Sequence, residues 1–108
     1  GKPKQNDYIL YQNYPNPFNP ITKISYYIAE AGIVSIRIYD LLGREIKILV
    51  SEFKKAGFYD IGFEASGLSS GFYVYKFQCN GFVDGRKMYY IKWVLKKPNY
   101  SIYIDVWS

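Results

Sequence analysis

The residue types and motifs that this chain lacks exclude several classes of function. It contains no histidine, so neither a Ser-His-Asp nor a Cys-His catalytic arrangement can be built. Its single cysteine, Cys79, excludes both an internal disulfide and a multi-cysteine metal site. No Gly-rich phosphate loop is present, and "NGFVDG" (80–85) is a poor match to a calcium loop. The residue inventory therefore predicts a protein that is not an enzyme and that holds no metal or other cofactor.

Long apolar runs and clusters of charge are also missing. No stretch of about eighteen apolar residues occurs, so the sequence predicts no transmembrane segment. The first residues, "GKPKQNDY", lack the apolar core of a signal peptide, so we expect that none is needed or that it has been removed. The net charge is +5, but the basic residues are scattered. Without a basic stripe, we expect no nucleic-acid partner.

Aromatic and alternating residues dominate what is present. Aromatics make up 20% of the 108 residues, 13 of them tyrosines, which favours β structure. Turn signals recur about every ten residues, a spacing typical of a sandwich or barrel of short strands. The alternation predicts an all-β single domain with strands at 8–12, 22–28, 33–40, 46–50, 58–63, 72–79 and 86–95. The segments "SEFKKAG" and "NGFVDG" are predicted to be connections between strands.

One face of these strands is predicted to form the core. Because the side-chain period of a strand is two residues, a slip of one residue would expose the whole set. Cys79 falls on an inward position, which predicts a buried and inert thiol. If Lys23, Arg37 and Lys76 were buried instead, the assigned register would be inverted. The predicted core residues are Ile24, Tyr26, Ile28, Val34, Ile36, Ile38, Ile48, Tyr59, Ile61, Phe63, Tyr73, Tyr75, Phe77 and Met88.

The segment "QNYPNPFNP" (12–20) is unlike the rest of the chain. Its three prolines fix φ and remove backbone donors, so it can form neither a helix nor a central strand. Such a stiff segment has little conformational entropy to lose on folding. We therefore expect an ordered loop that caps the core, with Tyr14 and Phe18 buried against the first two strands.

Two other groups of residues have a functional and a structural interpretation. Asp40 and Glu45 flank "LLGR" and could mimic a catalytic carboxylate pair, but an Asp at a strand end more often binds the backbone of its own turn. Outward-facing aromatics could stack on sugar rings, as in a carbohydrate-binding module, or could simply cover a second face of the sandwich. These outward aromatics are Tyr27, Tyr39, Tyr89 and Trp93.

Several motifs occur in an order that resembles a known family. "LYQNYPNPFNPITKISYYI" is followed by "VSIRIYDLLGREIKILV", "AGFYDIGF", "SGFYVYKF" and "RKMYYIK". Over residues 10–92 the chain resembles the C-terminal sorting domain of type IX secretion cargo, which is related to an immunoglobulin-like module of flagellar hook-cap proteins. The residues that carry the resemblance are Asn13, Tyr14, Pro15, Asn16, Pro17, Phe18, Asn19 and Pro20, with the turn residues Asp40, Gly43, Arg44, Gly57 and Gly71.

The resemblance implies a fold, a partner and a location. The fold would be an immunoglobulin-like β-sandwich of about seven strands. The partner would be the secretion machinery in the outer membrane, which recognises the domain. The protein would be exported and would end at the cell surface or in the medium.

The chain continues for sixteen residues after Lys92. We divide it into a sandwich domain at 1–95 and a C-terminal extension at 96–108. The alternation in the extension predicts one more strand, which either closes its own sheet or adds to the edge of a neighbouring copy. We expect pairing between copies slightly more than closure, because the chain is short and carries no passenger, and unless the contacts close a ring such pairing would make the protein a self-associating structural subunit of a filament. The candidate donor residues are Tyr100, Ile102, Tyr103, Ile104, Val106 and Trp107.

Overall fold

The computed structural model describes residues 6–94 and 103–105. Nothing in this part of the chain forms a helix that is long and apolar enough to cross a membrane. The described chain consists of β-strands joined by turns and loops. The strands are β1 (Tyr8–Leu10), β2 (Ile21–Ile28), β3 (Gly32–Asp40), β4 (Glu45–Lys54), β5 (Gly57–Glu64), β6 (Gly71–Cys79), β7 (Phe82–Tyr90), β8 (Lys92–Val94) and β9 (Tyr103–Asp105).

The first seven strands form two antiparallel sheets. One sheet has three strands in the order β1-β2-β5, and the other has four in the order β4-β3-β6-β7. Their inner faces enclose one apolar core. Within the described residues, the last two strands form a separate two-stranded antiparallel sheet. The prediction of an all-β, immunoglobulin-like sandwich of about seven strands with an additional C-terminal strand is confirmed.

Strand β2 shows why these residues form strands. Its buried residues are every second one, from Thr22 to Ile28, while Lys23 faces solvent. A strand places successive side chains on opposite faces, so this pattern buries one apolar face against the opposite sheet. Lys76 is also exposed and Arg37 is half-buried, so the register expected from the sequence is correct.

The core contains most of the predicted residues. Tyr59 and Ile61 are only half-buried, because β5 lies at the edge of its sheet. Cys79 is buried, as expected. Six buried hydrophobic residues were not in the predicted core list, and they complete the ends and edges of the core: Leu10, Phe18, Val50, Ala65, Cys79 and Tyr90.

The prediction for β4 was wrong in two respects. Ile48 is 45% exposed rather than buried, and "SEFKKAG" is mostly strand rather than connection. The register against β3 shifts twice, and at one shift Ile36 pairs with Val50 while the next residue, Arg37, pairs with Ile48. At this point β4 has one residue more than β3, which forms a β-bulge. The bulge reverses the in–out alternation of the strand. Val50 therefore takes the core position that the sequence pattern gave to Ile48.

The connection between β6 and β7 is also shorter than predicted. It consists of Asn80 and Gly81 alone, with φ of 50° and 84°, so most of "NGFVDG" belongs to β7. The Asn80 amide donates hydrogen bonds to the carbonyls of Glu30 and Ala31, which fixes the β2–β3 turn against this hairpin. A Cβ atom on Gly32 would collide with the Asn80 side chain. Glycine at position 32 is therefore needed for this close approach.

Candidate functional site

The asparagine-proline loop, residues 12–20, crosses from one sheet to the other. The backbone of Tyr14 exchanges two hydrogen bonds with Lys23 at the start of β2, with N–O distances of 2.9 and 3.0 Å. The backbone of Phe18 then bonds to Tyr89 and Ile91 at the end of β7, both at 2.9 Å. The loop thus ties the two sheets together at one end of the sandwich. It also satisfies backbone groups at the edge of β7 that would otherwise be open to another strand.

Phe18 is the apolar anchor of the loop. Its side chain is only 2% exposed, and its ring centroid lies 6.1 Å from that of Phe63 in β5 and 5.4 Å from that of Tyr90 in β7. The ring therefore fills the end of the core between both sheets, as the sequence predicts. The same prediction was wrong for Tyr14, which is 78% exposed. Because Tyr14 pairs with the backbone of an outward residue, Lys23, its own side chain also faces outward.

Asn13 is the polar anchor of the loop. Its buried side-chain amide donates hydrogen bonds to the Pro15 carbonyl at 3.1 Å and to the Thr22 hydroxyl at 2.9 Å. Its backbone N–H donates to the hydroxyl of Tyr75 at 2.7 Å, and that hydroxyl donates to the Tyr11 carbonyl at 2.8 Å. Burial raises the pKa of Tyr75 to about 12, so the hydroxyl keeps the proton that it donates. A core side chain on β6 therefore holds the backbone at the start of the loop.

The remaining loop residues bind the sheets on the inner side of the loop and are exposed on its outer side. Asn16 accepts a hydrogen bond from the backbone N–H of Tyr89 at 2.9 Å through its side-chain oxygen. The Pro20 carbonyl accepts one from Ala65 at 2.9 Å, and Asn19 is half-buried. The peptide bonds that precede the three prolines are all cis. The exposed outer side of the loop is formed by Tyr14, Pro15, Asn16 and Pro17.

The "DLLGRE" turn is organised by Asp40. Its carboxylate accepts hydrogen bonds from the backbone N–H of Leu42 at 2.9 Å and of Arg44 at 3.0 Å, and it pairs with the Arg44 guanidinium at 2.7 Å. Gly43 has a φ of 83°, which favours glycine. The hydrogen bond from the Arg44 backbone is the main reason that the pKa of Asp40 lies below its usual value. Asp40 is therefore the turn residue that its sequence position indicates.

Asp40 gives a testable pH dependence. A carboxyl whose pKa is lowered by folding stabilises the native state above its unfolded pKa, and this contribution is lost as the pH falls through the lowered value. We expect Asp40→Asn to lower the melting temperature at neutral pH, and we expect its difference from the wild type to shrink below about pH 4. Thermal melts of both proteins at pH 7 and pH 2.5 would test this. An undiminished difference at low pH would contradict the assignment.

Two of the motif glycines, Gly57 and Gly71, lie at corners of the sandwich. Gly57 and Gly71 have φ of 147° and 144°, and each begins a Gly-Phe-Tyr triplet at the start of a strand. The tyrosine of each triplet, Tyr59 or Tyr73, donates a hydrogen bond of 2.6 Å to the carbonyl four residues earlier. This is the tyrosine corner of immunoglobulin-like sandwiches, and here it occurs twice. These glycines therefore lie at corners of the fold.

The residues considered for catalysis have structural partners or a buried position in the described chain. Asp40 and Glu45 are not a carboxylate pair, because Asp40 binds Arg44 and Glu45 binds Arg37, the latter at 2.8 Å. Burial raises the pKa of Cys79, which opposes formation of a reactive thiolate. In residues 6–94 and 103–105 no group of three His, Cys, Asp or Glu side chains is placed to hold a metal ion.

Two of the four outward aromatics pack against exposed phenylalanines. The ring centroids of Tyr27 and Phe58 are 4.6 Å apart, and Tyr89 stacks on Phe72 with ring centroids 4.4 Å apart. Tyr39 is half-buried on the outer face of the four-stranded sheet, and the side chain of Trp93 lies outside the described residues. These contacts agree with the interpretation that the rings cover the outer faces. Glycan binding stays a prediction.

The C-terminal strand is described only in part. Residues 103–105, which include the candidate donors Tyr103 and Ile104, pair antiparallel with 92–94 of the same chain. This is the intramolecular alternative, and donation to a second copy stays a prediction. The other candidate donors lie outside the described residues: Tyr100, Ile102, Val106 and Trp107.

Some residues of the site were not found from the sequence. The sequence placed Tyr75 in the core but gave no indication that it binds Asn13, because the two are 62 positions apart. The hydrogen bond between Thr22 and Asn13 was not predicted either. Its sequence signal was a hydroxyl side chain at the two-residue spacing of the inward residues Ile24 and Tyr26.

Comparison with known proteins gives a match over nearly the same residues as the loop and sandwich described above. No curated protein matches the sequence. The family model of the secretion system C-terminal sorting domain matches residues 12–92, from the first residue of the asparagine-proline loop to the start of β8. The match covers all the loop residues and turn motifs described above, and the all-β sandwich agrees with it. This chain belongs to the family of type IX secretion C-terminal sorting domains.

Proposed function

We propose that this chain is a non-catalytic sorting module that directs the protein carrying it through the type IX machinery of the outer membrane. The product would reach the cell surface or the medium. The family match over residues 12–92 carries the proposal. The non-catalytic part is supported by the lack of histidine and by the pairing of Asp40 and Glu45 with their own arginines.

The asparagine-proline loop suits recognition by a partner. Its inner side is fixed by Phe18 in the core and by the hydrogen bonds of Asn13. Its outer side, which includes Tyr14 and Pro17, is exposed. A surface that is already held in one conformation loses little entropy on binding. We infer that the outer side of the loop is preorganised for contact with the machinery.

Export of a reporter tests the proposal. Residues 1–108 would be fused to the C-terminus of an inert periplasmic reporter in a host with functional type IX secretion. We expect the reporter outside the cell or on its surface. A second fusion that ends after Lys92 keeps the matched segment and β1–β7 but removes the extension. If the reporter stays in the periplasm with both fusions, the sorting role is wrong.

A further inference from the structure

The outer face of the four-stranded sheet carries a groove that has no assigned role. Its cavity volume is about 590 Å³, which is within the usual range of about 300–1,000 Å³ for binding sites. We call it the β3–β7 groove, and it lies on the side of the sheet opposite the core. Its main lining residues are Tyr39, Leu41, Val74, Lys76, Val83 and Gly85.

Two leucines form an exposed apolar lip beside this groove. Leu41 and Leu42 are 63% and 79% exposed, although they follow each other in a turn of only four residues. Asp40 fixes this turn through its bonds to the backbone of Leu42 and Arg44. The two side chains are therefore held in solvent by a well-defined backbone. Exposed apolar side chains beside a groove are a feature of interaction surfaces.

Among the described residues that line the groove, one cation has no carboxylate partner. The lining carboxylates Asp40 and Asp84 are each paired with an arginine, at 2.7 and 3.8 Å. Lys76 has no carboxylate within ion-pairing distance in the described part of the chain. It is also the cross-strand neighbour of another cation, Arg37. Like charges placed directly opposite each other on a sheet are unfavourable.

These observations point to a partner of defined chemistry. Because Arg37 is neutralised by Glu45, an incoming carboxylate would gain most from pairing with Lys76. An apolar side chain next to that carboxylate would fill the groove against Val74 and cover Leu41. We propose that the β3–β7 groove and its leucine lip dock a protein of the secretion machinery that presents an apolar side chain beside a carboxylate. This inference rests on the proposed sorting function.

The test compares variants of the full-length reporter fusion in the type IX host. The double variant Leu41→Ser/Leu42→Ser and the single variant Lys76→Glu should each reduce the external reporter by about tenfold or more. Lys76→Arg keeps the charge and should be exported like the wild type. Lys76 is exposed, so its variants keep the test valid even if the leucine variant fails to fold, which a thermal melt of the purified chain would reveal.

Matched controls separate the groove from general surface effects. Ile33→Ser/Phe53→Ser removes two similarly exposed apolar side chains that pair across the opposite end of the same hairpin. Lys55→Glu makes the same charge change at an exposed position outside the groove. Both control fusions should be exported at the wild-type level.

The outcomes distinguish this inference from the proposed function. If the wild-type fusion is exported and the groove variants are exported equally, the docking surface is wrong but the sorting role stands. If the wild-type fusion is not exported, both are wrong. Sedimentation of the purified chain measures whether it forms a dimer. A wild-type dimer that the leucine substitutions dissociate would make the groove a contact between copies and overturn the proposal.

Discussion

Replacement of Phe18 by alanine is expected to lower the free energy of unfolding by about 3 to 5 kcal/mol. The ring is 2% exposed and contacts Phe63 of one sheet and Tyr90 of the other. Its removal would leave a cavity where the two sheets meet. The loop backbone is held by hydrogen bonds at both ends, so it has little freedom to collapse into that cavity. Urea unfolding of the wild type and the variant would measure the loss.

Tyr14→Ala is the matched control for this experiment. It removes an aromatic side chain from the same loop, also next to a proline, but from the exposed outer side. Surface substitutions of this kind usually change stability by less than about 0.5 kcal/mol. A loss below about 1 kcal/mol for Phe18→Ala would show that the loop is only a surface crossing.

Tyr75→Phe is expected to cost about 2 to 3 kcal/mol although it removes a single oxygen atom. That oxygen accepts a hydrogen bond from the Asn13 backbone and donates one to the Tyr11 carbonyl. The substitution keeps the ring but leaves two polar backbone groups unpaired, one of them on a residue that is almost fully buried. The cost of an unpaired buried group exceeds the net gain from a typical hydrogen bond.

Tyr27→Phe provides the comparison for Tyr75→Phe. The hydroxyl of Tyr27 makes no hydrogen bond to the residues that the structure describes, so its loss should be close to neutral. Amide hydrogen exchange gives a second readout, because Tyr75→Phe should increase exchange at Asn13 and in the loop. Equal stability of the two variants would mean that Tyr75 does not hold the loop.

The alternation of residues was sufficient to predict most of the fold. Strands β2, β3 and β6 lie within one residue of their predicted bounds, because each has one face in the core and the period of two is unbroken. The alternation fails where a strand is irregular. In β4 the two register shifts against β3 decide which side chains face inward, and a bulge leaves no fixed signal in the sequence.

The loop shows what sequence reasoning can and cannot provide for the site. Proline content predicts that the loop is stiff, but it does not distinguish the buried Phe18 from the exposed Tyr14. That difference depends on which backbone each residue pairs with, Tyr90 or Lys23. The polar anchor depends on a contact between Asn13 and Tyr75, which only the folded sandwich brings together.

The most direct test of the sorting function is the fraction of reporter found outside the cell in two paired strains. One strain has functional type IX machinery, the other lacks it, and both express the same fusion to residues 1–108. We expect the reporter to be external only in the first strain and to stay periplasmic in the second. Equal external fractions in the two strains, or a periplasmic reporter in both, would contradict it.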